Sequence, residues 1–505
     1  MGVAPDQRSE RLAILSGTAQ NVVGIVIAGA ATLGAQVLIT RRFGPQVFGV
    51  VTVVTQAAFV ASFAARAGMD MAVLRTVAVG LGAGRTESLR AEVRRAAAIA
   101  CAVSAAVALL GVAGAGTIRE LFSIDEVSGR YAVEAALAGL PFLALANVWL
   151  AATRGLKTMR YTLYIFWAGQ PLAWMGLMLA GWAVSASAWM TVAAYSASWA
   201  LAAAAAFFAW RRESAGWERE RPAPGSFAAL WRYAGPRAPA ALFSQLLFWT
   251  DLFVLTRFAS AGEVGVYAAV LRAGQVVVLL LTSVNLMFSP YVADLYARGE
   301  RARLDRLFKD LTRFTLAATL PAVIVLAVAP GPVLRLFGGA FDEGKAALLV
   351  VLAGQLVNLA TGSAGFVLIM AGRTGWDLAV YAGSLVSDLG LAAVLAARYG
   401  MEGAAVANAL TFALSNAVRL ALVARLVGIW PYERAYLRLV GPFACGLVGA
   451  ALGHAAASTW ALNLALTALG AGLAYGAAYL AFGLSAAERR GLANLLARAR
   501  GGLRS

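Results

Sequence analysis

The sequence predicts an all-α polytopic membrane protein of about fourteen transmembrane helices, and three observations carry that reading. The 505 residues are 61% hydrophobic and only 13% charged, with a mean hydropathy of +0.74, whereas soluble domains carry about a quarter charged residues. Nearly uncharged runs of about twenty residues, the length an α-helix needs to cross a bilayer, recur along the chain. Lys and Arg gather in alternate loops between those runs. A soluble fold has too little interior for this apolar surface, so lipid must solvate the rest. The 52 glycines suit close helix–helix approach in that solvent.

The spans, numbered 1 to 14, cover roughly 15–40, 46–67, 96–116, 131–153, 162–184, 187–210, 238–258, 264–288, 314–336, 346–370, 377–397, 403–426, 439–457 and 460–483. With the N-terminus inside, the cytoplasmic segments hold 31 of the 42 Lys and Arg residues. The external loops hold 8, counting Arg257, Arg335 and Arg425 at span ends with the segments beside them, and Arg66, Arg272 and Arg419 lie deeper within spans. That asymmetry puts both termini in the cytoplasm. The longest external loop, about fourteen residues around Thr117–Arg130, leaves no room for a catalytic domain. The expected division is a lobe of six spans over 1–210, a cytoplasmic linker over 211–237, a second lobe over 238–426, and spans 13–14 over 427–483. A basic tail helix over 484–505 follows. The linker carries an Arg-Pro-Ala-Pro-Gly stretch. Leu304, Leu307, Phe308 and Leu311 recur at helical spacing in Asp294–Arg313, which predicts an amphipathic helix lying at the inner interface. In the tail, Ser485 and Glu488 form a capping box ahead of Leu492, Leu495 and Leu496.

Several function classes fall away. A net charge of +17 would suit nucleic acid, but the basic residues are short clusters between apolar runs and lack aromatic interleaving. Cys101 and Cys445 both lie in apolar runs and make no disulfide framework or metal spacing. The first apolar run is 26 residues long and has no A-x-A cleavage site, so it reads as a retained span. Gly339-x4-Gly344-Lys345 imitates a phosphate-binding loop, but Ala346 stands where Ser or Thr is required. A single histidine, His454, excludes a Ser-His-Asp set, and no acidic cluster suggests metal-dependent glycosyl transfer.

A shift of 216 residues aligns the end of span 1 with the end of span 7 without gaps. Leu38-Ile-Thr40-Arg41 meets Val254-Leu-Thr256-Arg257, Gly49-Val50 meets Gly265-Val266, and Gln56 falls opposite Arg272. Repeats joined by a cytoplasmic linker after six spans share one orientation. Their pseudo-two-fold axis then runs along the membrane normal, as in many transporters.

The corners of these repeats carry a family likeness. Arg42-Phe-Gly-Pro-Gln-Val-Phe-Gly49 and Ala67-Gly-Met-Asp70-Met-Ala-Val-Leu-Arg75 resemble the opening of the polysaccharide-biosynthesis flippases. So do Thr250-Asp251-Leu-Phe-Val-Leu and Gly262-Glu-Val-Gly265-Val-Tyr267. Leu336-Phe-Gly-Gly-Ala-Phe and Arg398-Tyr-Gly-Met-Glu-Gly403 resemble later corners of the same family, in the right order over most of the first 430 residues. That family belongs to the multidrug/oligosaccharidyl-lipid/polysaccharide (MOP) flippase superfamily. The resemblance implies two six-helix, MATE-like lobes around a cavity that alternates between faces, with spans 13–14 added. It implies transport rather than enzymatic chemistry. The implied cargo is a polyprenyl-pyrophosphate-linked oligosaccharide or polysaccharide repeat unit, carried from the inner to the outer leaflet of a bacterial cytoplasmic membrane. A monomeric transport unit, working beside a polysaccharide polymerase or glycosyltransferases, fits the same picture. The alternatives are a cation-coupled multidrug exporter on the same fold and a membrane polysaccharide polymerase or ligase. The short external loops argue against the last.

Ionisable residues at membrane depth need a partner or a function. Asp251 and Arg272 sit at similar depths on consecutive spans and are expected to pair, either to fix packing or as a switchable pair with Arg272 meeting a pyrophosphate. Asp388 lies near the midplane, within expected reach of Arg419, and could exchange H+ or Na+ during transport or simply hold that static bond. Arg66, Asp70 and Arg75 cluster where the apolar run of span 2 outlasts one straight span and Gly68 offers a break. Arginine's planar fork suits phosphate. Arg66 and Arg75 are therefore candidates at the inner face, and Arg41, Arg42 and Arg257 at the outer mouth, unless each only snorkels to a headgroup. Gln56 joins them as a sugar-hydroxyl candidate. No cofactor is expected.

Overall fold

Two glycines decide how the longest helices fold. The computed structural model of the chain describes residues 7–82, 86, 88–124, 127–156, 158–217, 226–282, 284–285, 292, 295–296 and 298–484. Among these, regular structure is entirely helical. Spans 1 and 2 run through one stretch, Gln7–Ala65, interrupted only at Gly44 (φ 76°, ψ −173°). Spans 11 and 12 run through Thr374–Leu426, interrupted at Gly400 (φ 56°, ψ −134°). A side chain resists these left-handed dihedrals and glycine does not. Pro45 adds to the first break, because the residue before a proline is driven out of the helical region. Each pair of spans therefore turns on a single residue.

Eleven helices among the described residues are long and apolar enough to cross a membrane. Two of these stretches each contain a broken pair, and span 7 is the shorter apolar helix Ala241–Leu255. The set is compatible with fourteen crossings. Span 2 breaks where expected: Ala67 and Gly68 take φ of 49° and 71°, and the helix Met69–Gly82 follows. A Cβ on Gly68 would lie 2.7 Å from the carbonyl oxygen of Ala234, so close approach as well as backbone geometry holds glycine there.

Three elements differ from expectation. The amphipathic segment before span 9 is not a separate interfacial helix. It runs straight into the span as one helix, Arg301–Val328. Leu304 and Phe308 are buried against Ala364, Val367, Leu368, Val423 and Val427, so the apolar face meets protein and not headgroups. Span 10 stops at Thr361, turns at Gly362 (φ 62°) and resumes as Ala364–Met370. Span 5 begins as a π-helix, Thr162–Gly169, and becomes α-helical at Gln170, one residue before Pro171. Proline has no N–H to donate, so wider turns in its vicinity sacrifice little backbone bonding. The helix Ser226–Leu255 takes in the second half of the expected linker. Residues 218–225 and the tail from Ser485, with its expected capping box, lie outside the described residues.

The chain forms two compact units, residues 1–268 with 381–407, and 269–380 with 408–505. In the second, spans 13 and 14 are an antiparallel hairpin. They cross where Gly449 and Gly470 each place bare Cα against the other's carbonyl oxygen. The hairpin is fastened to span 9. Tyr475 donates its hydroxyl to Ala317 O at 2.6 Å. Arg313, only 2% exposed, donates Nη2 to Gly483 O at 2.5 Å and Nε to Ala435 O at 3.3 Å. A buried guanidinium is tolerable when carbonyls at helix ends accept its protons.

In the first unit the 216-residue repeat has a physical counterpart. Gly49 and Gly265 pack backbone to backbone. A Cβ on Gly49 would lie 2.9 Å from Gly265 N and inside the contact distance of Ala261 O. A Cβ on Gly265 would lie 3.0 Å from Gly49 N and inside that of Pro45 O. Pro45 and Ala261 are themselves 216 apart. Each repeat thus presents to the other the residues that the other presents to it, the signature of a local two-fold axis.

Candidate functional site

Two groups of charged side chains are buried in the first unit. The first is built at the break that ends span 2. The turn through Ala67 and Gly68 sends Arg66 back along its own helix. There Nε donates to Ser62 O at 3.0 Å, and the guanidinium carbon lies 3.9 Å from the centre of the Phe63 ring. Nη1 donates to Asp70 Oδ2 at 3.0 Å across the break. Arg66 is 3% and Asp70 8% exposed, and the Nη2 atom of Arg66 is buried with no hydrogen-bond partner. Arg154, at the end of span 4, is half-buried. It donates Nη1 to Thr162 Oγ1 at 3.5 Å and lies within electrostatic reach of both Asp70 and Arg66. Two guanidiniums face one carboxylate, which leaves an excess positive charge and an unused N–H donor. That combination receives oxyanions, phosphates above all.

The second group is acidic. Asp251 on span 7, Tyr267 on span 8 and Asp388 on span 11 are 0%, 0% and 1% exposed. Tyr267 donates its hydroxyl to Asp251 Oδ2, and Asp388 lies within electrostatic reach of Tyr267. Three spans thus bring two carboxylates around one phenol. Beside them, Glu263 accepts the N–H of Met401 at 2.8 Å. A carboxylate at the first N–H groups of a helix is electrostatically favoured, so Glu263 caps the segment that restarts after Gly400.

The expected residues are thus brought together selectively. Arg66 and Asp70 pair as their i, i+4 spacing predicts, while Arg75 lies exposed farther along the same helix. Asp251 and Asp388 fall in one buried group with Tyr267. Arg272 donates Nη1 to Gln275 Oε1 at 3.3 Å, and Arg419 lies 3.7 Å from Asp377, both in the second unit. Arg41, Arg42 and Arg257 are exposed, with Arg42 5.9 Å from the Phe43 ring centre, and Gln56 is half-buried in span 2. Three residues went unread in the sequence. Arg154 and Arg313 were counted as loop cations, and Tyr267 was read as part of a motif without a role. An intramembrane tyrosine sixteen residues after an intramembrane aspartate was the available signal for the last. The lookalike phosphate loop is closed by its own carboxylate: Asp342 takes Lys345 at 2.9 Å and Arg335 at 2.7 Å.

The MatE family model matches residues 32–178, which contain the first of these groups. The probable low-salt glycan biosynthesis flippase Agl15 of Haloferax volcanii is 21% identical over 225 residues, 44% of this chain and 47% of that protein. The chain therefore spans about half the length of the curated relative it matches. Among solved structures, the lipid II flippase MurJ in an inward closed conformation superposes with a TM-score of 0.69 at 14% identity, covering 92% of this chain and 98% of that one. An inward-facing multidrug resistance MATE family transporter of the MOP superfamily gives 0.66 at 12% identity, covering 81% and 98%.

Proposed function

Because the chain has the fold of the MOP superfamily, whose compared members are flippases and transporters and not enzymes, we propose that it is a flippase. Its cargo is a polyprenyl-pyrophosphate-linked oligosaccharide or polysaccharide repeat unit, carried from the inner to the outer leaflet by alternating access. The observation that carries this reading is the Arg66–Asp70–Arg154 group, with its surplus positive charge and the open Nη2 of Arg66. It lies at the end of the bundle where the basic loops gather and where a pyrophosphate would enter from the inner leaflet. Arg75 extends the basic surface toward that entrance, and Arg41, Arg42 and Arg257 form its counterpart at the outer mouth. Gln56 and Arg272 are the sugar and pyrophosphate candidates between them. Arg272 and Arg419 lie with their partners in the second unit. The lobes are residues 1–210 and 238–426, in a multi-pass protein of the cytoplasmic membrane with both termini inside. A polymerase or glycosyltransferase would supply or consume the cargo.

Asp251 and Asp388 supply the coupling. Uptake and release of H+ or Na+ there would accompany the change of access. The same acidic group gives a second reading, a cation-coupled exporter of cationic drugs.

Reconstitution separates the two. In proteoliposomes, a fluorescent polyprenyl-pyrophosphate oligosaccharide should redistribute between leaflets with the wild type and far more slowly with Arg66→Ala. Absence of movement with the wild type, together with uptake of a cationic dye, would replace the glycan reading with the drug reading.

A further inference from the structure

We infer that the outer end of the first unit is a subsite for uncharged sugar, holding one or two rings of the departing glycan. The inference rests on the proposed flippase function for the source of that sugar, but not for the binding itself. A cavity of about 340 Å³ lies there, bordered by residues from the corners between spans 1–2, 3–4, 5–6 and 7–8. Those corners are the ones that the distribution of Lys and Arg places outside. The volume falls at the lower end of ligand pockets, which run from about 300 to 1,000 Å³. Val47, Val50 and Ile124 give the cavity an apolar wall, and Gln46, Ser123 and Ser260 supply its polar side chains. Among the described residues that line it, none is charged. A carboxamide offers two donors and an acceptor, and a hydroxyl both donates and accepts. That set matches a sugar ring, with hydroxyls around its rim and C–H bonds on its faces. A pyrophosphate or a cationic drug finds no opposite charge on these residues.

The scaffold itself does not require the polar groups. Among the described residues, the Gln46 side chain makes no hydrogen bond. At the 216-residue offset it falls opposite Gly262, so the second repeat builds the same corner without an amide. Ser123 makes the stronger case. The helix Ala115–Leu121 ends in a Schellman turn, with Ser123 N–H donating to Glu120 O at 3.1 Å and Ile124 N–H to Arg119 O at 2.9 Å. The residue at that turn takes positive φ, here 51°, where glycine is the rule. Serine stands there against the backbone's preference, and the hydroxyl is what glycine lacks. Ser260 has a second task. Its Oγ accepts the Glu263 N–H at 3.2 Å, which leaves the hydroxyl proton free to be donated.

Saturation-transfer NMR on the purified protein, in a detergent without a sugar headgroup, tests binding without cargo. The probes are glucose, galactose, mannose, rhamnose, N-acetylglucosamine and N-acetylgalactosamine at millimolar concentration. Glucuronate, glucose 1-phosphate and tetramethylammonium serve as charged controls. At least one neutral sugar should give a signal with the wild type, and Gln46→Ala and Ser123→Gly should each weaken it several-fold. Ser123→Gly should also raise the unfolding temperature, because it relieves the left-handed backbone, so its loss of signal is not loss of fold. No signal from any neutral sugar, a signal from charged probes alone, or equal signals from wild type and both variants would overturn the inference. Proteoliposomes then distinguish cargo from sugar in the medium. Both variants should slow the arrival of the fluorescent lipid-linked oligosaccharide in the outer leaflet several-fold, as should the bound free sugar added outside the wild type. Sugar binding with unaltered glycan movement in both variants would overturn the assignment to cargo. Sugar binding without any glycan movement by the wild type would remove the flippase reading and leave the sugar site standing. Glycan movement without sugar binding would do the reverse.

Discussion

Arg66 shows how a single side chain serves packing and chemistry together. Its Nε and Nη1 atoms are engaged by Ser62 and Asp70, and Nη2 is left over. Removing one partner of a buried pair strands the other, at about 3–5 kcal/mol. Arg66→Ala should therefore lower the unfolding temperature in detergent as well as slow transport, and Asp70→Asn, which retains an acceptor oxygen, should cost less. Equal losses in a thermal-shift assay would mean that the charge of Asp70 matters more than its hydrogen bond. For Tyr267→Phe the expectation is different: the ring stays and only the donor to Asp251 goes. A lost hydrogen bond to a buried charged group costs about 1.5–3 kcal/mol, so the protein should still fold while the ion dependence of transport shifts. An unchanged dependence on external pH and Na+ would detach this phenol from coupling. The sequence made Arg66, Asp70, Asp251 and Asp388 legible because charges are conspicuous among apolar residues. It did not make Tyr267 legible, since a tyrosine does not stand out by type, nor Arg154, which falls just past the end of an apolar run and counts there as a loop cation.

At the scale of elements, the breaks decide more than the helices do. Gly44, Gly68, Gly362 and Gly400 all take positive φ, and only Gly68 was read from sequence, because there an apolar run outlasted one membrane thickness. Gly44 and Gly400 were hidden by lying where two spans meet without a loop. The amphipathic helix before span 9 was misjudged for a related reason. Leucines at helical spacing specify an apolar face without specifying what covers it, and Ala364, Val367 and Val423 cover it here. The other misread element is the Arg313 clamp. Arg313→Leu would leave the carbonyls of Gly483 and Ala435 without a donor in a buried setting, at about 1–3 kcal/mol for each such group. Limited proteolysis of detergent-solubilised protein should then cut within residues 428–439 sooner than in the wild type. Equal rates of cleavage would show that the glycine crossing of spans 13 and 14 and the Tyr475 bond hold the hairpin unaided.

For the whole molecule, composition and loop charge were the most legible signals, because a bilayer imposes them on every span at once. The distribution of 31 basic residues against 8 makes an orientation prediction. A tag at either terminus should be inaccessible to protease in intact cells and accessible in inverted vesicles, whereas a single cysteine at Ser260 should label from outside. Accessibility of a terminal tag in intact cells would invert the inner and outer assignments of both charged groups. The repeat was faint in sequence, a handful of identities at one offset. It becomes physical at Gly49 and Gly265, where the two halves meet on their shared axis.

The bond from Arg313 to Gly483 also has a meaning for the making of the protein. Its partners lie 170 residues apart, so during synthesis span 9 emerges from the ribosome long before span 14 exists. Throughout that interval the guanidinium lacks the carbonyl that will accept it and must be sheltered by water, headgroups or the insertion machinery. Integration of the second half of the chain is thus complete only when nearly the last helix has arrived. A nascent chain that stalls after span 12 would display an uncapped arginine to the quality-control proteases of the membrane.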